Sequence, residues 1–176
     1  MGKVDLTLPP SIGFADHFDG FRLSDGQIVN IRIMDTCGQE RYDALFSNYY
    51  KDADCCLLVY DITSEKSFDK IKSYYIGKIK ENCKNIIKVI LLGNKADLKE
   101  GRKISKNDGA KLAEENGYIF METSCKDNYN VSDAFATLIE MTNKYLLNRH
   151  KSKQFKVKNQ NSKSEEVNEK KKKCCS

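Results

Sequence analysis

Residues 89–97 read Val-Ile-Leu-Leu-Gly-Asn-Lys-Ala-Asp, a short apolar run that leads into a polar tetrapeptide. A continuous apolar run of this length is typical of a strand that is buried on both faces of a sheet. Cys55 to Tyr60 has the same character, and Ile119 to Met121 is a shorter run of the same kind. We therefore predict three buried strands.

Helical patterns lie between and after these runs. Residues 64–83 carry apolar side chains at helical spacing, and residues 131–147 form the longest segment of this kind. Between them, residues 105–116 have a candidate N-cap at Ser105 and a C-terminal stop at Gly117. Strand and helix thus alternate from Cys55 onward, which predicts an α/β fold with a mostly parallel sheet flanked by helices. The first of these segments has Phe68, Ile71, Tyr75 and Ile79 at spacings of three and four.

Two more strand candidates lie earlier in the chain, at residues 18–23 and 27–34. The residues between them include Asp25-Gly26, and Asp-Gly is a strong signal for a tight hairpin turn. We therefore predict an antiparallel hairpin ahead of the alternating part of the chain.

The loop after the hairpin reads Asp35-Thr-Cys-Gly38-Gln39. Ligands of α/β sheets collect beyond the C-terminal ends of the strands. An aspartate there can reach a hydrated Mg²⁺, a glycine lets a backbone N–H approach a phosphate oxygen, and a glutamine can orient a water molecule. An ordinary turn between strand and helix is the alternative interpretation.

The tetrapeptide Asn94-Lys95-Ala-Asp97 follows the apolar run at residues 89–92. An aspartate carboxylate accepts two parallel hydrogen bonds, and guanine offers two matching donors at N1 and N2. Adenine lacks that pair of donors, so Asp97 would select guanine, while the Lys95 stem can lie over the base ring. Taken alone, the tetrapeptide is equally consistent with a polar turn and a helix N-cap.

The loop after the last predicted strand reads Glu122-Thr-Ser124-Cys125-Lys126. The backbone N–H of Cys125 could donate to O6 of guanine, and a contact from the main chain tolerates a cysteine side chain. By itself this loop is a weak signal.

In this order and spacing, the three loops resemble those of the Ras-like small GTPases, and within them the Rab family. Residues 49–53 and 58–63 are also similar to Rab segments, as are the paired cysteines at the C terminus. The resemblance covers roughly Pro10 to Leu147 plus the terminus. It implies a P-loop NTPase-like, Ras-type fold and a GTP-binding molecular switch of vesicle trafficking, with GTP or GDP and Mg²⁺ as cofactors.

The resemblance also implies roles for single residues. Gln39 would position the hydrolytic water, while Ser11 and Asp35 would bind Mg²⁺; Ser11 stands where the family usually has Thr. The implied nucleotide-binding residues are Gly38, Asn94, Lys95, Asp97, Ser124, Cys125 and Lys126. Effector, exchange-factor and GAP proteins are the implied partners.

The phosphate-binding loop G-x-x-x-x-G-K-[ST] does not occur in this sequence, because neither Gly2-Lys3 nor Gly77-Lys78 precedes Ser or Thr. The expectation is therefore a Ras-type domain that lacks the first strand, P-loop and first helix. Three interpretations stay open. The sequence is an incomplete gene model of a GTP-hydrolysing Rab-type protein, a truncated non-hydrolysing interaction or membrane-tethered module, or an RNA-binding or purely tethered module.

The net charge of +5 comes from the end of the chain. Residues 149–176 contain ten Lys or Arg and three Glu, a net charge of +7, so residues 1–148 carry a net charge of −2. A mildly acidic body argues against nucleic-acid binding, which needs basic side chains over the docking face. We therefore predict a truncated GTPase domain at 1–148 and a disordered basic tail at 149–176.

The tail ends in Lys170–Lys173 followed by Cys174-Cys175-Ser176. A C-a-a-X box needs Cys at position 173, which is Lys, so the farnesylation signal fails. The paired cysteines resemble the Rab arrangement for two geranylgeranyl chains, and the lysines would approach an anionic leaflet. The implied location is the cytoplasmic face of intracellular membranes, in exchange with the cytosol.

Overall fold

The computed structural model describes residues 15–36, 53–82 and 88–149, without the side chains of residues 15, 16 and 82. By internal contacts the chain divides into two units, Met1–Glu140 and Met141–Ser176. All the strands described below belong to the first unit. Several predicted functional residues lie outside the described residues: Ser11, Gly38, Gln39, Lys170–Lys173, Cys174 and Cys175.

The first two strands form the predicted hairpin. Strand β1, Ala15–Arg22, pairs antiparallel with β2, Ile28–Asp35. The turn is closed by the N–H of Gly26, which donates to the Leu23 carbonyl at 3.0 Å. Gly26 has a φ of 86°, in the region that favours glycine. The Asp-Gly signal is therefore confirmed.

Three parallel strands form a second sheet, in the order β3-β4-β5. They are β3, Cys55–Asp61, β4, Lys88–Asn94, and β5, Ile119–Glu122. The inner residues of β4 are buried throughout, as its apolar run predicts. The parallel sheet with helical connections confirms the α/β class.

Strand β3 differs from its prediction. Val59 is 51% exposed, so β3 is not buried on both faces. Among the described residues β3 lies at the edge of its sheet and the hairpin β1–β2 forms a sheet of its own. The apolar run of β3 therefore packs fully only through Leu58 and Tyr60, on the face that meets the first core cluster.

Helices cover both faces of the parallel sheet. On one face lie α1, Glu65–Lys70, a π-helical turn at Ile71–Tyr75, α2, Ile76–Asn82, and α3, Lys106–Asn116. Their core includes Phe68, Ile79 and Leu112, packed against β3 and β4. On the other face, helix α4 over residues 131–149 packs Ala134 and Leu138 against Ile90 and Leu92.

The ends of α3 match the sequence signals closely. Ser105 is the N-cap, and its side chain and that of Asp108 form a reciprocal capping box. Gly117 ends the helix with a φ of 69°, which a residue with a Cβ rarely adopts. The two ends of this helix are therefore fixed by local chemistry.

The π-helical turn shifts the buried face of the preceding helix. Tyr75 is half-buried and packs against the first core cluster, while the next residue, Ile76, is 7% exposed and belongs to that cluster. A π turn adds one residue, so the core spacing from Ile71 to Ile76 is five rather than four.

Within the described segments, no helix combines the length and apolar composition needed to cross a bilayer.

Candidate functional site

Two of the predicted loops meet at the C-terminal edge of the parallel sheet. Strands β4 and β5 run in the same direction, so the segments after Asn94 and Glu122 leave from one edge. The N–H of Thr123 donates to the Gly93 carbonyl at 2.9 Å, and the N–H of Ala96 donates to the Thr123 carbonyl at 3.0 Å. The backbone therefore fixes the spacing of the two loops.

Asp97 is held by a buried serine from the other loop. The hydroxyl of Ser124, which is 1% exposed, donates to Asp97 Oδ1 at 2.7 Å. The same hydroxyl oxygen accepts from the N–H of Asp127 at 3.1 Å. Because that oxygen is engaged as an acceptor, its proton is directed to Asp97. The Asp97 side chain is itself only 9% exposed, with the Lys126 ammonium 3.9 Å from Oδ2.

Asn94, the last residue of β4, contacts the loop that follows β5. Its Oδ1 accepts from the Thr123 hydroxyl at 3.3 Å and lies 3.7 Å from the Cys125 sulfur, a weak donor. Cys125 is exposed and Thr123 is buried. Asn94 therefore supports the position of the segment that carries the Cys125 backbone N–H.

Lys95 is anchored by a residue that the sequence reasoning did not assign to the site. Its ammonium lies 2.7 Å from Oδ2 of Asp61, the last residue of β3. Burial raises the pKa of Asp61, but hydrogen bonds from Lys95 and Thr63 outweigh burial and bring the pKa below its ordinary value. The signal that could have found Asp61 is its place at a strand end beside β4.

Glu122 is fixed by a second unpredicted partner. Arg102 binds both carboxylate oxygens, at 2.6 and 3.1 Å, and also donates to the Ile104 carbonyl at 3.1 Å. The hydrogen bond to Glu122 raises the pKa of Arg102. This two-bonded contact fastens the segment after β4 to the end of β5. Nothing in the sequence pairs these residues, which are twenty positions apart.

Of the residues predicted for Mg²⁺ binding and hydrolysis, the structure describes Asp35. Asp35 lies exposed at the end of β2, in the other sheet, and its predicted companions lie outside the described residues. Within the described parts of the chain, no group of three or more His, Cys, Asp or Glu is arranged to hold a metal ion. The metal and catalytic assignments stay predictions.

An open cavity of about 600 Å³ adjoins Asp97. Its lining contains both apolar and charged side chains beside that carboxylate: Thr63, Leu98, Lys99, Glu100 and Gly101. Of the residues predicted to bind the nucleotide, Asp97 lines this cavity. A hydrogen bond brings Asp97 and Ser124 together, and their role in binding a base stays a prediction.

Comparison with known proteins places these features in context. A model of the Ras family matches residues 5–144. The Ras-related proteins Rab-8A of Bos taurus and Rab-8B of Homo sapiens are each 46% identical over 114 residues, 65% of this chain and 55% of the relative. Rab-8 of Diplobatis ommata is 46% identical over 114 residues, 54% of its length. The chain thus spans about half the length of the curated relatives it matches.

Proposed function

Because this chain belongs to the Ras family of small GTPases, and its relatives are Rab proteins, we propose that the edge formed by Asp97 and Ser124 recognises the guanine base of GTP or GDP. The observation that carries the proposal is the 2.7 Å hydrogen bond from Ser124 to Asp97. It joins the two loops and presents an ordered carboxylate beside an open cavity of about 600 Å³.

The discrimination between purines follows from the donors of the base. Both oxygens of Asp97 would accept from N1–H and N2–H of guanine, and the Cys125 N–H would donate to O6. Adenine has no donor at N1 and an amino group at the O6 position, so it would leave the carboxylate without partners. A site built to hydrogen-bond one ligand rejects an analogue that leaves its polar groups unpaired.

The remaining family roles are part of the same proposal. Asp35 and Ser11 would bind Mg²⁺, Gly38 would approach a phosphate, and Gln39 would orient the attacking water. Phosphoryl transfer depends on positioning and electrostatic stabilisation, and a P-loop supplies much of both. Base recognition needs only the loops after β4 and β5, whereas hydrolysis of GTP would in addition require the contacts that a P-loop makes with the phosphates.

The alternative is a non-hydrolysing Rab-like interaction module. The exposed Phe18 and Ile28 of the hairpin, at 75% and 63% exposure, are consistent with a surface that contacts another protein. A soluble purified chain without detectable GTP binding would favour this alternative. Measured turnover of GTP by the chain would exclude it.

The tail supports a proposal for location. We propose that Cys174 and Cys175 carry geranylgeranyl chains and that Lys170–Lys173 approach an anionic membrane, with the protein acting in vesicle trafficking at the cytoplasmic face and exchanging with the cytosol. Two lipid chains give stable attachment where one gives only marginal binding. Mass spectrometry of the C-terminal peptide from cells tests this, and free thiols at both cysteines would contradict it.

Base recognition is tested by nucleotide binding to the whole chain. Calorimetry should give the tightest binding for GDP, weaker binding for IDP, which lacks the N2 amino group, and the weakest for ADP. Asp97→Asn replaces one acceptor oxygen by a donor, so GDP binding should fall at least about tenfold, the effect of roughly 1.4 kcal/mol.

The matched control is Asp133→Asn, the same change at an exposed position of α4. It should leave the binding of all three nucleotides at the wild-type level. Equal affinities for GDP and ADP, or an unchanged GDP affinity in Asp97→Asn, would contradict guanine recognition at this edge.

A further inference from the structure

Asp61 and Lys95 come from neighbouring strand ends. Asp61 closes β3 and lies in register with Asn94, the residue before Lys95. The pairing continues one step further, because the N–H of Ile62 donates to the Asn94 carbonyl at 3.1 Å. The two side chains therefore start from adjacent, hydrogen-bonded positions, and their charged atoms meet at 2.7 Å.

The Asp61 carboxylate is fixed by contacts that do not involve the lysine. Its Oδ1 accepts from the N–H of Thr63 at 2.8 Å and from the Thr63 hydroxyl at 2.7 Å. The backbone N–H of Asp61 donates to the Ser67 hydroxyl at 3.0 Å. These bonds leave Oδ2 directed towards Lys95 as a rigid acceptor.

Lys95 binds the Asp61 carboxylate and precedes a second carboxylate, Asp97, by two residues in the sequence. Its backbone has a φ of 67°, a left-handed conformation that a long side chain adopts only where its surroundings impose it. Asp97 follows two positions along the same turn, so an unanchored Lys95 could reach that carboxylate instead. In the structure the Lys95 ammonium is bound to Asp61, although its side chain is 52% exposed.

We propose that Asp61 is a positioning residue for the base site: it holds the Lys95 ammonium at the edge of β3 and so keeps the Asp97 carboxylate available to the donors of a purine. This inference rests on the proposed function for its ligand, whereas the Asp61–Lys95 contact can be tested without nucleotide. Without the Asp61 charge, Lys95 competes with guanine for Asp97.

The contact is tested by acylating the lysines of the ligand-free chain with acetic anhydride and measuring each site by mass spectrometry. In Asp61→Asn, Lys95 should react about two- to fivefold faster, the range expected for loss of a half-exposed ion pair. Asp61→Glu keeps the charge and should keep Lys95 closer to its wild-type rate. If Asp61→Asn folds poorly, the acylation rate of Lys95 in Asp61→Glu tests the contact instead.

The matched control is Asp69→Asn, which removes a carboxylate 2.9 Å from the Lys72 ammonium on the exposed face of α1. It should change the reactivity of Lys72 and leave Lys95 unaffected, while Asp61→Asn should do the reverse. An unchanged Lys95 rate in Asp61→Asn would overturn the inference.

The positioning role is tested by nucleotide binding. Asp61→Asn should weaken GDP binding about three- to tenfold and leave ADP binding unchanged, so the ratio of GDP affinity to ADP affinity should fall. Asp61→Glu should restore part of that ratio. Faster acylation of Lys95 with an unchanged preference would overturn the role. A wild-type chain that binds no GDP would overturn the proposed function together with this role, and the acylation rates would still decide the Asp61–Lys95 contact.

Discussion

Ser124→Ala removes the hydrogen bond that joins the two loops of the proposed base site. The Ser124 side chain is 1% exposed, and its hydroxyl donates to Asp97 Oδ1 at 2.7 Å while accepting from the Asp127 N–H at 3.1 Å. Alanine removes both contacts and changes the volume of the side chain only slightly. The variant therefore isolates the contribution of one hydroxyl group.

The magnitude follows from the surroundings of Asp97. A hydrogen bond to a charged group contributes about 1.5–3 kcal/mol to stability. Asp97 is only 9% exposed, so water replaces the lost donor poorly, whereas the N–H of the exposed Asp127 can bind solvent. We therefore expect Ser124→Ala to lower the free energy of unfolding by about 1.5–3 kcal/mol, nearly all of it through Asp97.

Urea unfolding followed by circular dichroism at pH 7 measures this change. With a urea dependence of about 2 kcal/mol per molar, the unfolding midpoint should fall by roughly 1 M. The matched control is Ser73→Ala, whose exposed hydroxyl donates to the Asp69 carbonyl at 2.8 Å. That variant should stay within about 0.5 kcal/mol of wild type. Equal midpoints for the two variants would refute the assignment of Ser124 as the link between the loops.

Three further outcomes follow from the packing and charge around the sheet. Gly109→Ala should destabilise the protein by about 1–2 kcal/mol in thermal unfolding, because the added Cβ would lie 2.5 Å from the Phe120 ring and against the Tyr60 hydroxyl. This steric cost should exceed the gain from the higher helix propensity of alanine. A variant as stable as wild type would contradict the prediction. Tyr60→Phe should equal or exceed the stability of wild type, by up to about 1 kcal/mol. The reason is that the Tyr60 hydroxyl is buried without a hydrogen-bond partner in the described structure. Burial raises the pKa of Tyr60 from 10.0 to about 12, so wild type loses stability as the pH rises across that interval and the advantage of Tyr60→Phe should grow there. Asp61→Asn should cost stability above about pH 5, and the cost should disappear as the pH falls below 3.8, because the lowered pKa of Asp61 stabilises the native state only while the carboxylate is ionised; a cost that is independent of pH would argue for lost packing instead.

The elements that the sequence predicted well are those whose limits depend on local chemistry. Ser105 and Gly117 act within their own turns, through a side-chain cap and a left-handed backbone, and α3 ends where they indicate. Asp25-Gly26 sets the hairpin turn in the same way. The inserted residue at Ile71–Tyr75 has no such local signal, because which residues face the core depends on how the helix packs against β3.

The candidate site shows the same division. Asp97 and Ser124 could be placed from sequence, because parallel strands bring their C-terminal loops to one edge. The strand-end position of Asp61 could have been found by the same argument, but its pairing with Lys95 and the pairing of Arg102 with Glu122 could not, because these pairs join segments that only the folded sheet brings together. Ion-pair partners across loops depend on side-chain direction, which periodicity does not encode.

Three side-chain contacts link the strand ends and loops at the C-terminal edge of the sheet. Asp61–Lys95 joins the end of β3 to the loop after β4, Ser124–Asp97 joins that loop to the one after β5, and the ion pair of Glu122 joins β5 back to the segment that follows β4. Each contact therefore limits the movement of a loop that another contact also holds. A ligand that binds such a preorganised edge loses less conformational entropy than one that must order the loops itself. If the edge binds a base as proposed, substitutions at these contacts should consequently weaken that binding even where the substituted residue does not touch the base.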